Sequence, residues 1–460
     1  MPDAGDPGGR VDFVLVAPLA AELSVRWLEQ AIARAGPRLE AEGVLCVVVP
    51  RRWRHAAWWL VHRAGLASLQ GLITVPPWPD CAHAVSLDVA ALRDAGARHF
   101  GIHPVTAACA AALLRARAGR ALAGLAAPGC ALLATRRPAA DPLRWLASLD
   151  GRGVRCAAAA ATGTRRDARV AVILRFAAAG RAPDLVAKVA LDAGGFQRVE
   201  RERAALDALG DGARRAGVAV PAIVATAAPG LLATTALAGR SASTLIAGDP
   251  ARAPTILTGL SVWLREWTAA TASTGAAGPE PLHRLLLAPV ARVAAADGGP
   301  AMTEYVAALR ALAARLEGRT LVLAAAHNDL TMSNVLVAGN HVGILDWESA
   351  VPAAPPLGDL WYALADGVAR AGRLTHIQAV TELVHRSAPI PLALATVPDE
   401  LARELALTAD QALLSFHACW LHHAANELDR GESGGRFRAV VRGVAAARLR
   451  WPGDGEADRR

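Results

Sequence analysis

The sequence almost lacks lysine. Of its 49 Lys and Arg residues, Lys188 is the single lysine and the other 48 are arginine. An ammonium group is a compact point charge on a flexible stem, and the broad planar guanidinium of arginine cannot replace it at a tight site. Base composition would account for one leftover lysine equally well. The sequence around position 188 is therefore needed to distinguish drift from a functional role.

Several other signals are also missing. No apolar run reaches the ~18 residues that a membrane helix needs, and the first 18 residues have no basic segment followed by an apolar stretch of signal-peptide length. No two cysteines form a CxxC pair, so we expect buried thiols and neither disulfides nor structural zinc. These absences predict a cytoplasmic protein that does not span a membrane. The six cysteines are at positions 46, 81, 109, 130, 156 and 419.

The positive net charge of +8 does not indicate nucleic-acid binding. The arginines are scattered through helical patterns and form no dense basic block, and there is no zinc-finger, RNP-type or basic-zipper pattern. We expect no nucleic-acid partner. The sequence leaves the oligomeric state open.

At 460 residues the chain is long enough for two or three domains. Residues 1–150 read as an α/β accessory domain with Rossmann-like order: the strand VDFVLVAPL, the helical pattern ELSVRWLEQAIARAGPRLEAEG, the strand GVLCVVVP and a helix that ends at Gly65. This order resembles half of a class I methyltransferase fold, without the glycine-rich loop that would bind a cofactor. Trp53, Trp58 and Trp59 are expected in a core or an interface.

A second pattern begins after a linker predicted at 136–155. The β-branched runs RVAVILRF (169–176) and DLVAKVAL (184–191) predict an antiparallel hairpin, and FQRVERERAALDALG predicts a helix that stops at glycine. VAVPAIVAT and GLLATTALAG predict two more strands, whereas the alanine-rich VRCAAAAAT is a poor strand by propensity. From about residue 241 the pattern is mostly helical. These observations predict one domain over 156–240 and a helical domain over 241–455.

The segment AAAHNDLTMSNVLVAGNHVGILDWE carries the chemistry. Asn334 follows Asp329 by five residues, and Asp346 follows Asp329 by seventeen. NVLVAGNHVGIL reads as two short strands joined by a turn, and this hairpin would bring Asn334 and Asp346 to one edge. Two oxygen ligands with room for water and phosphate suit Mg²⁺. Asp329, on the preceding loop, could then accept or position the proton of a hydroxyl group.

These residues resemble the Brenner motif of the aminoglycoside phosphotransferase and choline kinase-like family, a branch of the protein-kinase-like fold. HNDLTMSN resembles HxDxxxxN, LDWE resembles the metal-binding motif, and PPLGDLWYA resembles the helix start that follows. The resemblance implies that Asp329 is the catalytic carboxylate and that Asn334 and Asp346 bind Mg²⁺. It also implies that His327 braces the catalytic loop and that Asp359 caps a helix and pins that loop.

The same resemblance favours a functional role for Lys188 over drift. VAKV resembles the kinase strand whose lysine binds the nucleotide phosphates, and a glutamate of the following helix should pair with it: Glu202, or else Glu200. The phosphate-covering loop is expected in AATGTRRDAR, at Gly163, and the interlobe hinge near Thr235, Ala236 and Leu237. The predicted fold is therefore α+β and two-lobed, a small antiparallel-sheet lobe and a larger helical lobe, preceded by the accessory domain. All four side chains, at 188, 329, 334 and 346, are expected around one triphosphate–metal pocket between the lobes.

The expected activity is ATP- and Mg²⁺-dependent transfer of phosphate to a small-molecule hydroxyl. Only 11 residues, 347–357, separate Asp346 from Gly358, which is too short for a peptide-docking segment. The acceptor could be an aminoglycoside, a sugar, a nucleoside or a natural-product intermediate, and ATP or GTP could be the donor.

No acidic cluster of the kind that an aminoglycoside needs is evident. The amphipathic helix at 413–432 is favoured as a packed helix rather than as an acceptor site. The alternative is a nucleotide-binding pseudoenzyme or scaffold that uses the accessory domain as its binding module. The candidate residues for an acceptor pocket are Phe416, His417, Trp420, His422, His423 and Glu427, and the acids considered for a cationic acceptor are Asp366, Glu382 and Glu427.

Overall fold

The structure is a computed structural model of the 460-residue chain. It describes the following residues: 11–16, 24–75, 83–86, 129–136, 149, 156–163, 170–177, 182–190, 192–215, 217–385, 394, 396–429 and 435–447. The linker predicted at 136–155 lies outside the described residues, apart from residues 136 and 149.

The chain divides into two compact units. The first comprises residues 1–203 and 221–237, and the second comprises 204–220 and 238–460. The chain passes from the first unit to the second for the last time between Leu237 and Ala238, directly after the residues predicted as a hinge. The division into three domains at 150 and 240 stays a prediction.

A ten-stranded sheet forms the first unit, with strand order β1-β2-β5-β3-β4-β6-β7-β8-β10-β9. The helices of this unit are α1, Val25–Ala35, α2, Arg54–Arg63, and the first half of α3, Ala193–Arg215. Its strands are β1, Val11–Val16; β2, Leu39–Pro50; β3, Ala67–Val75; β4, His83–Ser86; β5, Gly129–Thr135; β6, Cys156–Gly163; β7, Val170–Ala177; β8, Leu185–Ala190; β9, Ile223–Ala228; and β10, Leu231–Thr235.

The helix α1 is shorter than the sequence pattern predicted. Ser24 caps it by accepting a hydrogen bond from the Trp27 N–H at 3.1 Å, and Leu28 and Ile32 are buried one turn apart. The prediction that the helix runs to residue 43 is wrong. Pro37 cannot continue an α-helix because its ring removes a donor and clashes with the preceding turn, and β2 begins at Leu39.

Antiparallel pairing dominates the described part of the N-terminal segment. β1 and β2 are parallel, as a β-α-β unit requires, but β2 pairs antiparallel with β5, β5 with β3, and β3 with β4. This is not the parallel sheet of a Rossmann-like half, and the methyltransferase resemblance stays unconfirmed. Trp53 packs against the core, whereas Trp58 and Trp59 are about half exposed on α2 and so are not core residues.

The predicted β7–β8 hairpin is present, with Val172 opposite Lys188. The alanine-rich strand β6 also forms, because ladders with β4 and β7 on both sides override its low strand propensity. The prediction that α3 stops at Gly210 is wrong. The helix continues to Arg215 because Leu209 and the fully buried Ala213 extend its apolar face.

The second unit is mainly helical, as predicted. Three helical turns that are not α-helix interrupt it, at residues 250–252, 283–287 and 347–349. No helix among the described residues is both long and apolar enough to cross a bilayer. Its α-helices are the second half of α3 and then α4, Ala242–Gly248; α5, Ala253–Thr271; α6, Pro279–Leu282; α7, Ala288–Ala296; α8, Pro300–Leu316; α9, Gly358–Gly372; α10, His376–His385; α11, Val397–Glu404; α12, Ala409–Asp429; and α13, Arg436–Ala447.

Two small sheets position the loops of the second unit. The first has the order β11-β14-β15 and the second β12-β13-β16. β14 and β15 form the predicted hairpin, in which Ala338 lies opposite His341 and Gly339 takes a φ of +60° in the two-residue turn. Their strands are β11, Arg240–Ser241; β12, Ser273–Ala276; β13, Thr320–Ala326; β14, Val335–Ala338; β15, His341–Ile344; and β16, Val351–Ala354.

Candidate active site

The loop that follows β13 is held by a buried carboxylate. Asp359, in the first turn of α9, accepts the backbone N–H of His327 at 2.6 Å and that of Asn328 at 2.8 Å. Burial raises the pKa of this carboxyl, while the neighbouring His327 and the two N–H donors oppose the rise. Asp359 therefore pins the loop, but it caps no helix end through its side chain, because both of its oxygens bond to the loop.

His327 braces the loop from inside. Its ring is fully buried, 5.0 Å from the ring of Trp347. Its Nδ1 accepts the backbone N–H of Asp329 at 3.2 Å, and its Nε2 donates to the carbonyl of Leu345 at 2.8 Å. Because one ring nitrogen accepts and the other donates, these two contacts fix the orientation of the ring and give His327 a structural role.

Two residues of the site have left-handed backbone conformations. Asn328 has a φ of 59° and Asp346 a φ of 66°. Non-glycine residues rarely adopt this region, and Asn and Asp do so more readily than others. Asn328 is fixed there by its backbone bond to Asp359 and by a side-chain bond from Nδ2 to the carbonyl of Ser349 at 3.2 Å.

Asn334 and Asp346 flank the β14–β15 hairpin at its open end. The carbonyl of Asn334 accepts the N–H of Leu345 at 2.9 Å, which places Asn334 beside the residue that precedes Asp346. The Asn334 Nδ2 donates to the carbonyl of Asp329 at 2.8 Å. Since the amide nitrogen is used in this bond, the amide oxygen is the group that Asn334 has left to offer a cation.

The donor set fits a hard divalent cation. An amide oxygen and a carboxylate are ligands that Mg²⁺ accepts, and Mg²⁺ usually keeps waters and phosphate oxygens in its remaining positions. Among the residues that the structure describes, no cluster of three or more His, Cys, Asp or Glu side chains could hold a metal. A metal at Asn334 and Asp346 would have room for water and phosphate oxygens as its other ligands.

One face of α9 supports the whole loop, whereas the sequence predicted this role for Asp359 and not for Tyr362 or Asp366. Asp359, Tyr362 and Asp366 are spaced i, i+3 and i+7 on this helix and so share a face. Asp366 accepts the N–H of Met332 at 2.8 Å, and the Tyr362 hydroxyl lies 3.5 Å from Oδ1 of Asp329. The spacing of these three side chains in GDLWYALAD was the available signal.

Asp366, on this face of α9, is ionised. Burial acts to raise its pKa, but hydrogen bonds from His376 and Arg370 outweigh burial and lower the pKa to about 2. The Arg370 Nε lies 2.8 Å from Oδ2 of Asp366. The carboxylate is thus used in holding Met332 and is not available to a substrate.

In the first unit, Lys188 and Glu202 lie together. Lys188, on β8, places its Nζ 2.5 Å from Oε2 of Glu202, on α3. The two side chains are 17% and 4% exposed, respectively. Glu200 instead accepts the N–H of Gly230 at 2.8 Å, so the structure selects Glu202 as the partner of the lysine.

The remaining predicted nucleotide residues are at strand ends. Gly163 is the last residue of β6, opposite Ala171, and residues 164–169 of the predicted phosphate loop lie outside the described residues. Thr235 ends β10, and its N–H donates to the carbonyl of Ala222 at 2.8 Å. The N–H of Ala236 donates to the carbonyl of Asp184 at 3.2 Å, so that group is used inside the protein. Leu237 is the last residue of the first unit.

A cavity of about 420 Å³ lies in the second unit beside Asn328. Its wall includes residues 351–355, the start of α9, the segment between Arg284 and Arg292, and one face of α12. Ser415, Cys419, His422 and Asn426 recur on α12 at the spacing of one helical face.

The other candidates on α12 have packing or structural roles. Phe416 and Trp420 are buried, and His417 bonds to the Tyr305 hydroxyl at 2.9 Å, where burial lowers the pKa of the histidine to about 4. Both oxygens of Glu427 accept the backbone N–H of Phe437 at 3.0 Å, and Oε2 also accepts that of Arg438 at 3.0 Å, so Glu427 caps α13. His422 and His423 line the cavity, which the sequence pattern did not distinguish from an exposed face.

Comparison with known proteins identifies the class. Residues 174–386 match the sequence model of the phosphotransferase enzyme family, APH. The resemblance that the motifs indicate is thereby confirmed for this part of the chain. The protein is a small-molecule kinase, an enzyme that transfers phosphate to an alcohol group. No curated protein matches the chain.

Solved structures of low identity also align with it. A choline/ethanolamine kinase family protein from Mesorhizobium loti is 18% identical, with a TM-score of 0.36, and the alignment covers 62% of this chain and 84% of that one. A thermostable aminoglycoside phosphotransferase mutant with ADP and hygromycin B is 14% identical, with a TM-score of 0.39 and coverage of 65% and 97%. A glucosamine kinase in complex with glucosamine, ADP and inorganic phosphate is 16% identical, with a TM-score of 0.38 and coverage of 67% and 83%.

Proposed function

We propose that this chain transfers the γ-phosphoryl group of ATP, with Mg²⁺, to a hydroxyl group of a small molecule bound in the cavity beside Asn328. The observation that carries the proposal is the rigid loop 327–334, which two carboxylates of α9 hold through backbone N–H groups. Such a loop presents Asp329 in a fixed position, and phosphoryl transfer depends mainly on positioning and charge stabilisation.

Asp329 is proposed to orient the acceptor hydroxyl. The hydroxyl oxygen forms a bond to the γ-phosphorus, the bond from that phosphorus to the β–γ bridging oxygen breaks, and ADP leaves. The hydroxyl proton passes to the Asp329 carboxylate. The cavity contains Asn328, one residue before Asp329 in the chain, and His423, whose ring lies 4.0 Å from the ring of Tyr362. Tyr362 in turn approaches Asp329, so the cavity and the carboxylate share neighbours.

Lys188, Asn334 and Asp346 are proposed to bind the nucleotide. Mg²⁺ held by Asn334 and Asp346 would neutralise phosphate charge when bound. The ammonium group of Lys188, kept in place by the buried Glu202, would neutralise the α- and β-phosphates. The alternative of a scaffold is less well supported. The chain has all four side chains that the proposed transfer needs, which are Lys188, Asp329, Asn334 and Asp346.

The small size of the acceptor follows from the segment after Asp346. Residues 347–357 form one helical turn and the strand β16, which pairs with β13 through Ala324 and Ala354. A segment tied into a sheet in this way offers no long platform for a peptide.

The test is Asp329→Asn in the full-length chain, incubated with Mg·ATP and a metabolite library. Wild type should yield a product that has gained one phosphoryl group, and Asp329→Asn should lose roughly 10²- to 10⁴-fold in rate, as expected for a general base, while still binding Mg·ATP. Asp207→Asn, at an exposed position of α3, should behave as wild type. If the wild type phosphorylates no compound of the library, or if Asp329→Asn keeps full turnover, the proposal is contradicted.

A further inference from the structure

Two arginines and one carboxylate line the cavity beside Asn328. Arg284 and Arg292 are the two lysine or arginine residues in its wall, and Asp359 is the single carboxylate there. Arg292 contacts Asp429, which offsets its charge. Arg284 is exposed and makes no ion pair with any residue that the structure describes. Among the described residues, no ion pair therefore compensates the charge of Arg284.

The carboxylate of the cavity, Asp359, does not form an ion pair with Arg284. Both oxygens of Asp359 accept backbone N–H groups, one from His327 and the other from Asn328, and the residue is 5% exposed. Asp366 and Glu427 are likewise used in holding Met332 and the start of α13. None of these three acids is available to bind an ammonium group of a substrate.

Polar groups on the helical wall add hydrogen-bond donors. The Asn426 Nδ2 lies 3.0 Å from Nε2 of His422. Because the amide nitrogen can only donate, Nε2 of His422 is the acceptor in this contact, and Asn426 contributes a donor group to the wall. A wall with an uncompensated guanidinium and donor groups attracts anions and repels polycations.

Building on the function proposed above, we propose that the acceptor is a hydroxyl compound with a carboxylate or phosphate group, and that Arg284 binds this anionic group. The cavity discriminates against aminosugars with several ammonium groups, because it would leave them without a carboxylate partner. Arg284 is thus a specificity-determining residue, and the choice of acceptor depends on the segment between α6 and α7.

The test uses four probes that share one sugar ring. Galacturonate has a carboxylate, galactose 6-phosphate has a phosphate, galactose is neutral, and galactosamine has an ammonium group. Binding of each probe to the full-length chain is measured by isothermal titration calorimetry in the presence of Mg²⁺ and a non-hydrolysable ATP analogue. At least one anionic probe should bind about tenfold or more tightly than galactose, the gain typical of one hydrogen bond between charged groups. Galactosamine should bind no better than galactose.

Two variants locate the effect. Arg284→Gln should abolish the preference for the anionic probe without changing the affinity for the ATP analogue. Arg310→Gln, at an exposed position of α8 outside the cavity, should retain the preference. Comparing the carboxylate probe with the phosphate probe shows which anion the site favours.

The outcomes separate this inference from the proposed function. Equal affinity for the four probes, no binding of either anion, or an unchanged preference in Arg284→Gln would overturn the inference. Transfer of phosphate to a cationic acceptor would overturn it too, while the proposed function would stand. Arg284-dependent anion binding in a chain that phosphorylates no library compound would have the opposite meaning, since the anion site would stand and the kinase proposal would fail.

Discussion

At the scale of single residues, Lys188 makes a short, half-buried ion pair in the first unit. Its ammonium nitrogen lies 2.5 Å from a carboxylate that is only 4% exposed. Breaking such a pair leaves a buried charge without compensation, which costs several times more than loss of a surface pair. An ammonium group fits this short contact from a flexible stem, and the wider guanidinium would have to displace either the glutamate or a bound phosphate.

We therefore predict that Lys188→Arg weakens nucleotide binding although it conserves charge. The expected loss is about 10- to 100-fold in affinity for Mg·ATP, the range for one hydrogen bond between charged groups. Isothermal titration calorimetry of the full-length chain measures it. Arg201→Lys, the reverse exchange at an exposed position of α3, should leave the affinity unchanged. An Lys188→Arg variant with wild-type affinity would show that the single lysine is a result of drift.

At the scale of elements, the sequence predicts hairpins and the presence of helices, but it does not predict where tertiary packing ends a helix. The β14–β15 hairpin follows from two short apolar runs around Gly339, and the sequence locates it correctly. The ends of α1 and α3 were misplaced, because a proline and a buried alanine outweighed the periodic pattern.

The candidate site also has one part that the sequence predicts and another that it does not. His327, Asp329, Asn334 and Asp346 could be named from the sequence because they lie within twenty residues at fixed spacing. The cavity could not be predicted, since its wall joins segments near positions 284, 328, 351 and 419 that only tertiary packing brings together.

The shared face of α9 makes the stability of the second unit pH-dependent. The folded pKa of Asp366, about 2, lies below its ordinary value of 3.8. The carboxylate therefore contributes stability above the ordinary pKa, and this contribution is lost as the pH falls through 3.8 towards 2. It amounts to roughly 2 kcal/mol, since one pKa unit corresponds to about 1.4 kcal/mol.

We predict that Asp366→Asn removes this dependence. Between pH 6 and pH 3 the wild type should lose about 1 kcal/mol more of its unfolding free energy than Asp366→Asn does, because about half of the contribution is lost by pH 3. Urea unfolding at the two pH values measures the difference. Asp207→Asn should keep the wild-type dependence, and an Asp366→Asn variant with an unchanged pH response would contradict the assignment.

At the scale of the whole molecule, the ten-stranded sheet links the N-terminal segment to the strand of Lys188. β4 pairs with β6 through His83–Thr162, Ala84–Ala161 and Val85–Ala160, and β6 pairs with β7 along its length. β8, with Lys188, follows β7 in the sheet. The segment that the sequence predicted as a separate accessory domain thus covers one edge of β6, and without it the N–H and C=O groups of that edge would lose their partners.

We predict that deletion of residues 1–150 produces a chain that self-associates. An exposed strand edge is a template for pairing with other chains, and the alanine-rich β6 has no charged residue to oppose this. Size-exclusion chromatography with light scattering should show aggregates or oligomers of the truncated chain, and a lower midpoint of thermal unfolding. Co-expression of residues 1–150 as a separate chain is the control, because it supplies the missing strand and should restore a uniform species. A truncated chain that stays monomeric, with an unchanged unfolding midpoint and intact Mg·ATP binding, would favour the independent accessory domain instead, because β6 would then need no partner from the first 150 residues.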